Sequence, residues 1–324
     1  MNLPAYKDLF LTHLEKKVKT KEPQNLYEPV SYILQLGGKR IRPILALLSA
    51  EAFGAKAEQA LDVALAVEVF HNFTLLHDDI MDEASIRRGK PTVHKKWNVN
   101  TGILSGDVML INAYEYLESY EPTIFKDLVK VFSQTAKEVC EGQQYDMDFE
   151  TQNDVSIISY MNMITYKTSV LLAASLVMGA IVAGADKDDR QDIYDFGIHL
   201  GVAFQLQDDY LDTFGDAATF GKRIGGDILE NKKTWLYIKA LEVASETDKK
   251  ELLDCYDATN TLSDKDKIEK VTKLFRNMAI NVLLQQQIAN YSHKAIDILE
   301  SLAIAEKPKL ILKDLVLSLE KRNV

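Results

Sequence analysis

From Ser169 to Ala185 the chain reads SVLLAASLVMGAIVAGA, without a single charge. A helix apolar on every side must be enclosed, by lipid or by other parts of the protein. The stretch falls short of the ~20 residues that cross a bilayer, and Lys167 and Asp186 close it on both sides. It is therefore expected to be a core helix wrapped by other helices, with no membrane span. The rest of the sequence supplies those neighbours. In AEQALDVALAVEVFHNFTLLHDD, Leu61, Ala64, Leu65, Val69, Phe73 and Leu76 recur at three- and four-residue spacing, which places them on one helical face. Similar runs cover Ser31–Ala52, Val99–Tyr120, Thr123–Tyr145, Val155–Ala183, Arg190–Thr213, Lys232–Val243, Val271–Ala303 and Leu310–Glu320. No segment shows strand-like alternation bounded by a two-residue turn. No proline- or serine-rich linker divides the chain. The expected fold is all-α: a single large helical bundle of about ten or more helices around a central cavity, one domain over residues 1–324.

Composition narrows the function. The net charge of −10 argues against a nucleic-acid partner, which would call for a basic surface. Two cysteines, Cys140 and Cys255, make no disulfide framework and suit a reducing compartment. The opening MNLPAYKDLFLTHLEKKVK has no signal-peptide apolar region and reads as an amphipathic helix. A cytoplasmic enzyme is the expectation.

Two acidic clusters carry the chemistry. HDDIMD at His77–Asp82 is echoed by QDDYLD at Gln207–Asp212, each following a mostly apolar helical run. Asp78 and Asp82, and likewise Asp208 and Asp212, stand at i and i+4 and share a helical face. Carboxylates late in a helix face the negative end of its dipole, at a cost of about 0.3–1 kcal/mol each. A hard divalent cation turns that cost into binding energy. Mg²⁺ fits best, because it takes one or two carboxylates and completes its shell with water and phosphate oxygens. Any one such cluster is equally well a solvated helix end with ordinary surface salt bridges.

Cations flank both clusters: Arg87, Arg88 and Lys90 after the first, and Lys222, Arg223, Lys232 and Lys233 after the second. Carboxylates beside guanidinium and ammonium groups make sense when a phosphate lies between them. LGGKRIRP, Leu36–Pro43, sets Lys39, Arg40 and Arg42 after a glycine pair at a helix start, where backbone amides favour an anion. It is no P-loop, since GxxxxGK[ST] is absent. His71, seven residues before Asp78, could join the same site or be simply packed.

GGKRIRP, LLHDDIMDEASIRRGKPTVH, YKTSVLL, FQLQDDYLDTFGD and GKRIGGDILENKKTWL run in this order from Gly37 to Leu236. Together they resemble the all-trans isoprenyl (polyprenyl) diphosphate synthases, which include the farnesyl and geranylgeranyl diphosphate synthases. The resemblance implies a prenyltransferase that condenses isopentenyl diphosphate with an allylic diphosphate. Lys39, Arg42, His71 and Arg88 would hold isopentenyl diphosphate. Asp78, Asp82 and Asp208 would hold three Mg²⁺ ions on the allylic diphosphate. Asp79, Asp209 and Asp212 would act more indirectly through waters, with Asp212 also counted among the candidate ligands. Arg87, Lys167 and Lys222 would neutralise the leaving group, and Lys232 would close over it. Thr168 and Gln205 would face the reacting carbons. The glycine-rich TFGDAATFGKRIGG is a candidate lid.

Product length is expected to be set just upstream of the first cluster. Phe73 lies five positions before Asp78, about 7.5 Å along the axis, and Phe70 about 12 Å. An aromatic at the position of Phe73 resembles the floor of short-chain synthases, and the small Thr74 leaves room beside it. Geranylgeranyl diphosphate is the favoured product, with farnesyl diphosphate as the alternative. Class I terpene cyclases share the first motif, yet build their second metal site differently and have no use for Lys39 and Arg42. A non-catalytic subunit of a heteromeric synthase is a further alternative, although such subunits usually lose aspartates that this chain keeps. Family members commonly form homodimers, and the runs Val99–Leu117 and Leu128–Val139 could supply the apolar face.

Overall fold

The computed structural model describes residues 1–152, 154–216, 224–257 and 259–321. The chain divides into two compact units, each described by itself. The first comprises Met1–Gln134, Ala174–Gln191 and Ala303–Ile311. The second comprises Thr135–Ala173, Asp192–Leu302 and Leu312–Val324. Helices dominate both, as expected from the periodicity.

In the first unit, α1 (Leu3–Lys17), α2 (Gln24–Gln35) and α3 (Ile41–Ala52) precede the long α4 (Leu61–Met81). A short α5 (Val93–Lys96) and α6 (Val99–Leu117) follow. α4 is the pivot: it packs most extensively on α6 and also meets α1, α2 and α3. Its residues from Val63 to Phe70 are all buried, so it is enclosed on every side, and not on one stripe only. α6 starts where Asn98 accepts a hydrogen bond from the Thr101 amide at 2.9 Å, satisfying an otherwise orphaned donor.

The second unit contains α8 (Ile157–Ile164), a π-helical turn (Thr165–Ser169) and the end of α7 (Pro122–Thr151). It also holds the start of α9 (Val170–Ala183) and most of α10 (Lys187–Phe214). Then come α11 (Gly226–Leu229), α12 (Trp235–Val243), α13 (Glu246–Tyr256), α14 (Asp264–Asn277), α15 (Ile280–Ser301) and the later part of α16 (Glu306–Lys321), whose first residues belong to the first unit. Their core includes Met163, Ile164, Leu206, Trp235, Phe275 and Leu284. Ser245 and Ser263 cap α13 and α14 by accepting from the amides three residues on.

Three sequence expectations meet a difference. The run Ser31–Ala52 is not one helix, because Gly37, Gly38 and Arg40 all adopt positive φ and break it between α2 and α3. The run Val271–Ala303 is likewise broken, at Ala279, which has φ 55°. The described residues also include a small hairpin, Ile86–Arg87 paired with Lys90–Pro91. Its two-residue turn has φ 52° at Arg88 and 73° at Gly89, the twist that suits a tight hairpin. Four strand residues are too few to leave an alternating pattern.

The uncharged stretch behaves as a core helix. Residues Ile157–Ala183 are long and apolar enough to cross a membrane, yet 78% of their most apolar window is buried inside the protein. α9 lies close on α3: Ser49 Oγ donates to the Leu176 carbonyl at 2.6 Å. A Cβ placed on Gly179 would stand 2.2 Å from the Ala46 carbonyl oxygen, a backbone atom that cannot swing aside. Gly179→Ala should therefore push the two helices apart and lower the thermal midpoint, at a cost of about 1–3 kcal/mol. An unchanged midpoint in a calorimetric scan would contradict this close approach.

Candidate active site

The first acidic motif closes α4. Asp78 and Asp79 lie in its last turn and Asp82 is its C-cap, with the Asp82 amide bonded to the Asp78 carbonyl. Asp79 is buried, and its Oδ2 accepts from Arg87 Nε at 2.8 Å. Arg87 Nη2 stands 3.6 Å from Asp78 Oδ2, so one guanidinium serves both acids. The hairpin explains how Arg87 gets there. Thr92 donates its amide to the Ser85 carbonyl and its hydroxyl to the Ala84 carbonyl, closing the loop on itself. Burial nevertheless pushes the Asp79 carboxyl above its ordinary value, against the pull of Arg87.

Beside this motif lies a cationic cradle in the same unit. Lys39 is exposed on the Gly37–Arg40 loop, and Arg42 sits in the first turn of α3. Arg42 Nη1 and His71 Nε2 are 3.2 Å apart. Burial, and then the charge of Arg42, hold His71 well below the usual histidine range, with Arg88, Arg87 and Arg40 adding to the effect. His71 is therefore neutral near pH 7, and its Nε2 accepts from Arg42. Arg88 donates to the Gly37 carbonyl. Of the predicted residues here, Lys39, Arg42, His71, Arg87 and Arg88 all belong to this one unit. Arg40 differs from expectation: it is buried, and it donates to Glu68 and to the Leu34 carbonyl, not toward an anion.

In the second unit a cavity gathers Lys167, Thr168, Gln205, Asp209 and Lys232 from the predicted set, with Asp146, Tyr160 and Asp227 among its other lining residues. The π-helical turn presents Lys167 and Thr168. Lys167 Nζ donates to Asp146 Oδ2 at 2.6 Å. Thr168 Oγ1 donates to Gln205 Oε1 at 3.0 Å, and Gln205 Nε2 in turn donates to Asp209 Oδ1 at 3.2 Å. Tyr160 donates to the other oxygen of Asp209. Burial and then the charge of Asp227 push Asp209 well above the usual carboxylate range. Lys232 lies 3.0 Å from Glu230 and 3.9 Å from Asp227. Burial opposes its charge, but these carboxylates outweigh it and raise its pKa. Asp212 Oδ2 accepts the Asp227 amide at 3.0 Å, so it anchors the start of α11. Asp208, half-buried, lies on α10 one turn before it.

Nothing in the local sequence pattern marks Asp146, Tyr160 or Asp227, although Asp227 sits inside the motif GKRIGGDILENKKTWL. Residues 217–223 lie outside the described residues, and with them Lys222, Arg223 and half of the expected lid. Of the expected floor residues, Phe73 is nearly buried and Phe70 fully so. Thr74 spends its hydroxyl on the His71 carbonyl at 2.8 Å.

The depressed His71 value has a stability consequence. An unfolded histidine titrates near ~6.5, whereas the folded imidazole takes its proton only at lower pH. His71 therefore has no effect above that value, and stability is lost as pH falls from ~6.5 toward the depressed folded value. Denaturant midpoints of His71→Gln, which keeps an acceptor for Arg42, should match wild type at about pH 7.5 and fall less steeply toward about pH 5. Identical slopes for the two proteins would show that His71 is not held neutral.

The polyprenyl synthetase family profile matches residues 23–275. A geranylgeranyl diphosphate synthase of Methanosarcina mazei is 40% identical over 237 residues, covering 72% of this chain and 73% of that one. A crystal structure of geranylgeranyl pyrophosphate synthase is 52% identical and superposes with a TM-score of 0.96 over 100% of both chains. A second, the geranylgeranyl pyrophosphate synthase of Corynebacterium glutamicum complexed with isoprenyl diphosphate and magnesium, is 26% identical. It has a TM-score of 0.85 over 99% of this chain and 97% of that one. The match spans the GGKR loop, both aspartate-rich helix ends and the lysine-bearing π-helical turn, and the chain belongs to the polyprenyl synthetase family.

Proposed function

We propose that the protein is a short-chain prenyltransferase that joins isopentenyl diphosphate to an allylic diphosphate, with geranylgeranyl diphosphate as its main product. The observation that carries this is the cationic cradle beside the first acidic motif. Arg42, the neutral His71 and the Arg88-bound Gly37–Arg40 loop gather positive charge and donors suited to a second diphosphate. A terpene cyclase, with one diphosphate to hold, has no use for it. A non-catalytic subunit has no use for six retained aspartates.

The donor set fits magnesium. Asp78, Asp82, Asp208 and Asp212 offer carboxylate oxygens only, the ligands a hard cation takes. Among the described residues no three His, Cys, Asp or Glu side chains converge into a ready-made ligand cluster. That suits an ion that completes its shell with water and substrate phosphate. Bound there, three Mg²⁺ ions would supply charge neutralisation to the departing diphosphate.

The residues then divide the work. In this reading Lys39, Arg42, His71 and Arg88 hold isopentenyl diphosphate, and the role of neutralising the allylic leaving group is assigned to Arg87, Lys167, Lys222 and Lys232. As the allylic carbon–oxygen bond breaks, its electron pair leaves with diphosphate. Thr168 gives its hydrogen to Gln205, so the oxygen lone pairs remain to stabilise the carbocation. The double bond of isopentenyl diphosphate attacks, and the released diphosphate takes the proton. Phe73 forms the first floor of the product channel, Phe70 the next, with Thr74 beside them. The exposed Cys140 and the buried Cys255, both free, suit a cytoplasmic setting.

The protein acts as a homodimer in this reading. α6 leaves Ile103, Leu104 and Ile111 exposed at 42%, 59% and 57%, an apolar strip that a second copy would cover. Ile103→Glu/Ile111→Glu should convert a dimer to a monomer in sedimentation; a monomeric wild type would refute the assignment. For the reaction, purified protein with Mg²⁺, isopentenyl diphosphate and dimethylallyl, geranyl or farnesyl diphosphate should yield mainly the twenty-carbon alcohol after dephosphorylation. Asp78→Ala should lower turnover by at least about a hundredfold. Failure to extend any starter would overturn the enzymatic reading, and a dominant fifteen- or twenty-five-carbon product would overturn the chain-length assignment alone.

A further inference from the structure

Beneath the Gly37–Arg42 loop lies a buried polar cluster to which neither acidic motif nor the proposed chemistry gives a task. Arg40 and Glu68 have side chains only 2% and 3% exposed, and they form an ion pair. Arg40 has φ 54° and ψ 36°, a left-handed conformation disfavoured for any residue with a Cβ. Its guanidinium is turned inward, donating to Glu68 Oε1 and to the Leu34 carbonyl at the end of α2. Asn72 Nδ2 completes the cluster, reaching Glu68 Oε1 at 3.1 Å and the Glu68 carbonyl at 2.8 Å.

Glu68, His71 and Asn72 stand at i, i+3 and i+4 on α4, so they share one face. That face handles two arginines two residues apart. Arg40 is drawn in by a buried carboxylate, and Arg42 is met by the imidazole of His71. From the other side Arg88 holds the Gly37 carbonyl, and a Cβ on Gly38 would come within 2.9 Å of its guanidinium. The loop is thus pinned at both ends, at Gly37 by Arg88 and at Arg40 by Glu68, and Lys39 lies between the pins.

A buried ion pair is poor evidence of stabilisation, because apolar replacements of similar volume often do as well or better. What such a pair does supply is a fixed direction. A guanidinium that must meet both a carboxylate and the Leu34 carbonyl determines the backbone of Arg40, and therefore where Lys39 and the first amides of α3 point.

We infer that Glu68, Arg40 and Asn72 are positioning residues for isopentenyl diphosphate, holding the Lys39–Arg42 segment in its diphosphate-binding shape without touching the substrate. This rests on the reading that Lys39 and Arg42 bind that diphosphate. The consequence is selective: losing the pair loosens the homoallylic site and leaves the allylic one as it was.

The test compares wild type, Arg42→Ala, Glu68→Gln and the double variant Arg40→Met/Glu68→Met, which fills the space without charge. KM for isopentenyl diphosphate, KM for the allylic diphosphate, kcat and the thermal midpoint are measured for each. Direct binding of isopentenyl diphosphate is followed by calorimetry without allylic substrate. The double variant should melt no lower than wild type, yet show about a tenfold higher KM and weaker calorimetric binding for isopentenyl diphosphate. Its allylic KM and its kcat at saturating isopentenyl diphosphate should stay within about twofold of wild type. Glu68→Gln should move the same constants in the same direction by less. A double variant with wild-type isopentenyl diphosphate affinity overturns the inference. So does a parallel rise in both KM values, or loss of folding in both Glu68 variants, since the pair would then be a general support. If Arg42→Ala binds isopentenyl diphosphate as well as wild type, the underlying site assignment is what fails.

Discussion

Carboxylates crowded at the C-terminal end of a helix repel one another and the helix's own carbonyls. This constraint shapes the surroundings of both aspartate-rich motifs, and the two units meet it by different means. At the end of α4 the answer is charge: the hairpin carries Arg87 back over Asp79 and Asp78. In α10 the answer is hydrogen bonding: Tyr160 and Gln205 each donate to one oxygen of the buried Asp209. Asp212 meets the same problem by serving as an acceptor, taking the Asp227 amide at the start of the next helix. The middle aspartates, Asp79 and Asp209, thus take the closest protein donors at each motif, while the metal-binding role is proposed for the i and i+4 pairs.

The π-helical turn at Thr165–Ser169 belongs to the same economy of donors. Such turns cost regular hydrogen bonds and recur at functional sites. Here the Thr165 hydroxyl donates to the Met161 carbonyl, restoring a partner near the distortion. Downstream, Lys167 reaches Asp146 and Thr168 reaches Gln205. Because Gln205 gives its amide hydrogens to Asp209, its oxygen must face Thr168, and the amide has one orientation only. A continuous chain therefore runs from Tyr160 through Asp209 and Gln205 to Thr168. The hydroxyl proposed to face the carbocation is oriented by the acidic motif itself.

What sequence reading reached, it reached through local spacing. Asp78 with Asp82 and Asp208 with Asp212 are visible because i and i+4 is a geometric statement about any helix. The uncharged run at Ser169–Ala185 announced a core helix for the same reason. Glu68 stayed hidden because one acid inside an apolar run looks like an exposed position, and only the inward turn of Arg40 shows that it is buried. Arg40 itself looked like a third anion-binding cation, since nothing in GGKRIRP says which of its cations turns inward. Tyr160 and Asp146 stayed hidden because their partners, Asp209 and Lys167, lie forty-nine and twenty-one residues away. Tertiary pairing of that kind leaves no periodic trace.

The proposed product floor shows how local and tertiary information combine. A helical wheel alone favours Thr74 over Phe73 as the residue nearest the face of Asp78, because four residues complete a turn better than five. Their contacts differ. Thr74 turns its hydroxyl back onto the His71 carbonyl, as a short polar side chain in a helix tends to. Phe73 instead packs edge-on against His77, with ring centroids 4.8 Å apart, and against Phe70 at 5.6 Å. Phe70 in turn meets Phe132, and Phe132 meets Tyr114, each in a T-shaped contact. The aromatic rings thus form a continuous series leading away from the first acidic motif, each braced by the next. A chain growing from Asp78 would meet Phe73 first, and that ring has little freedom to yield because Phe70, Phe132 and Tyr114 stand behind it. On this reading product length is set by the whole aromatic series, with Phe73 at the end nearest the first acidic motif.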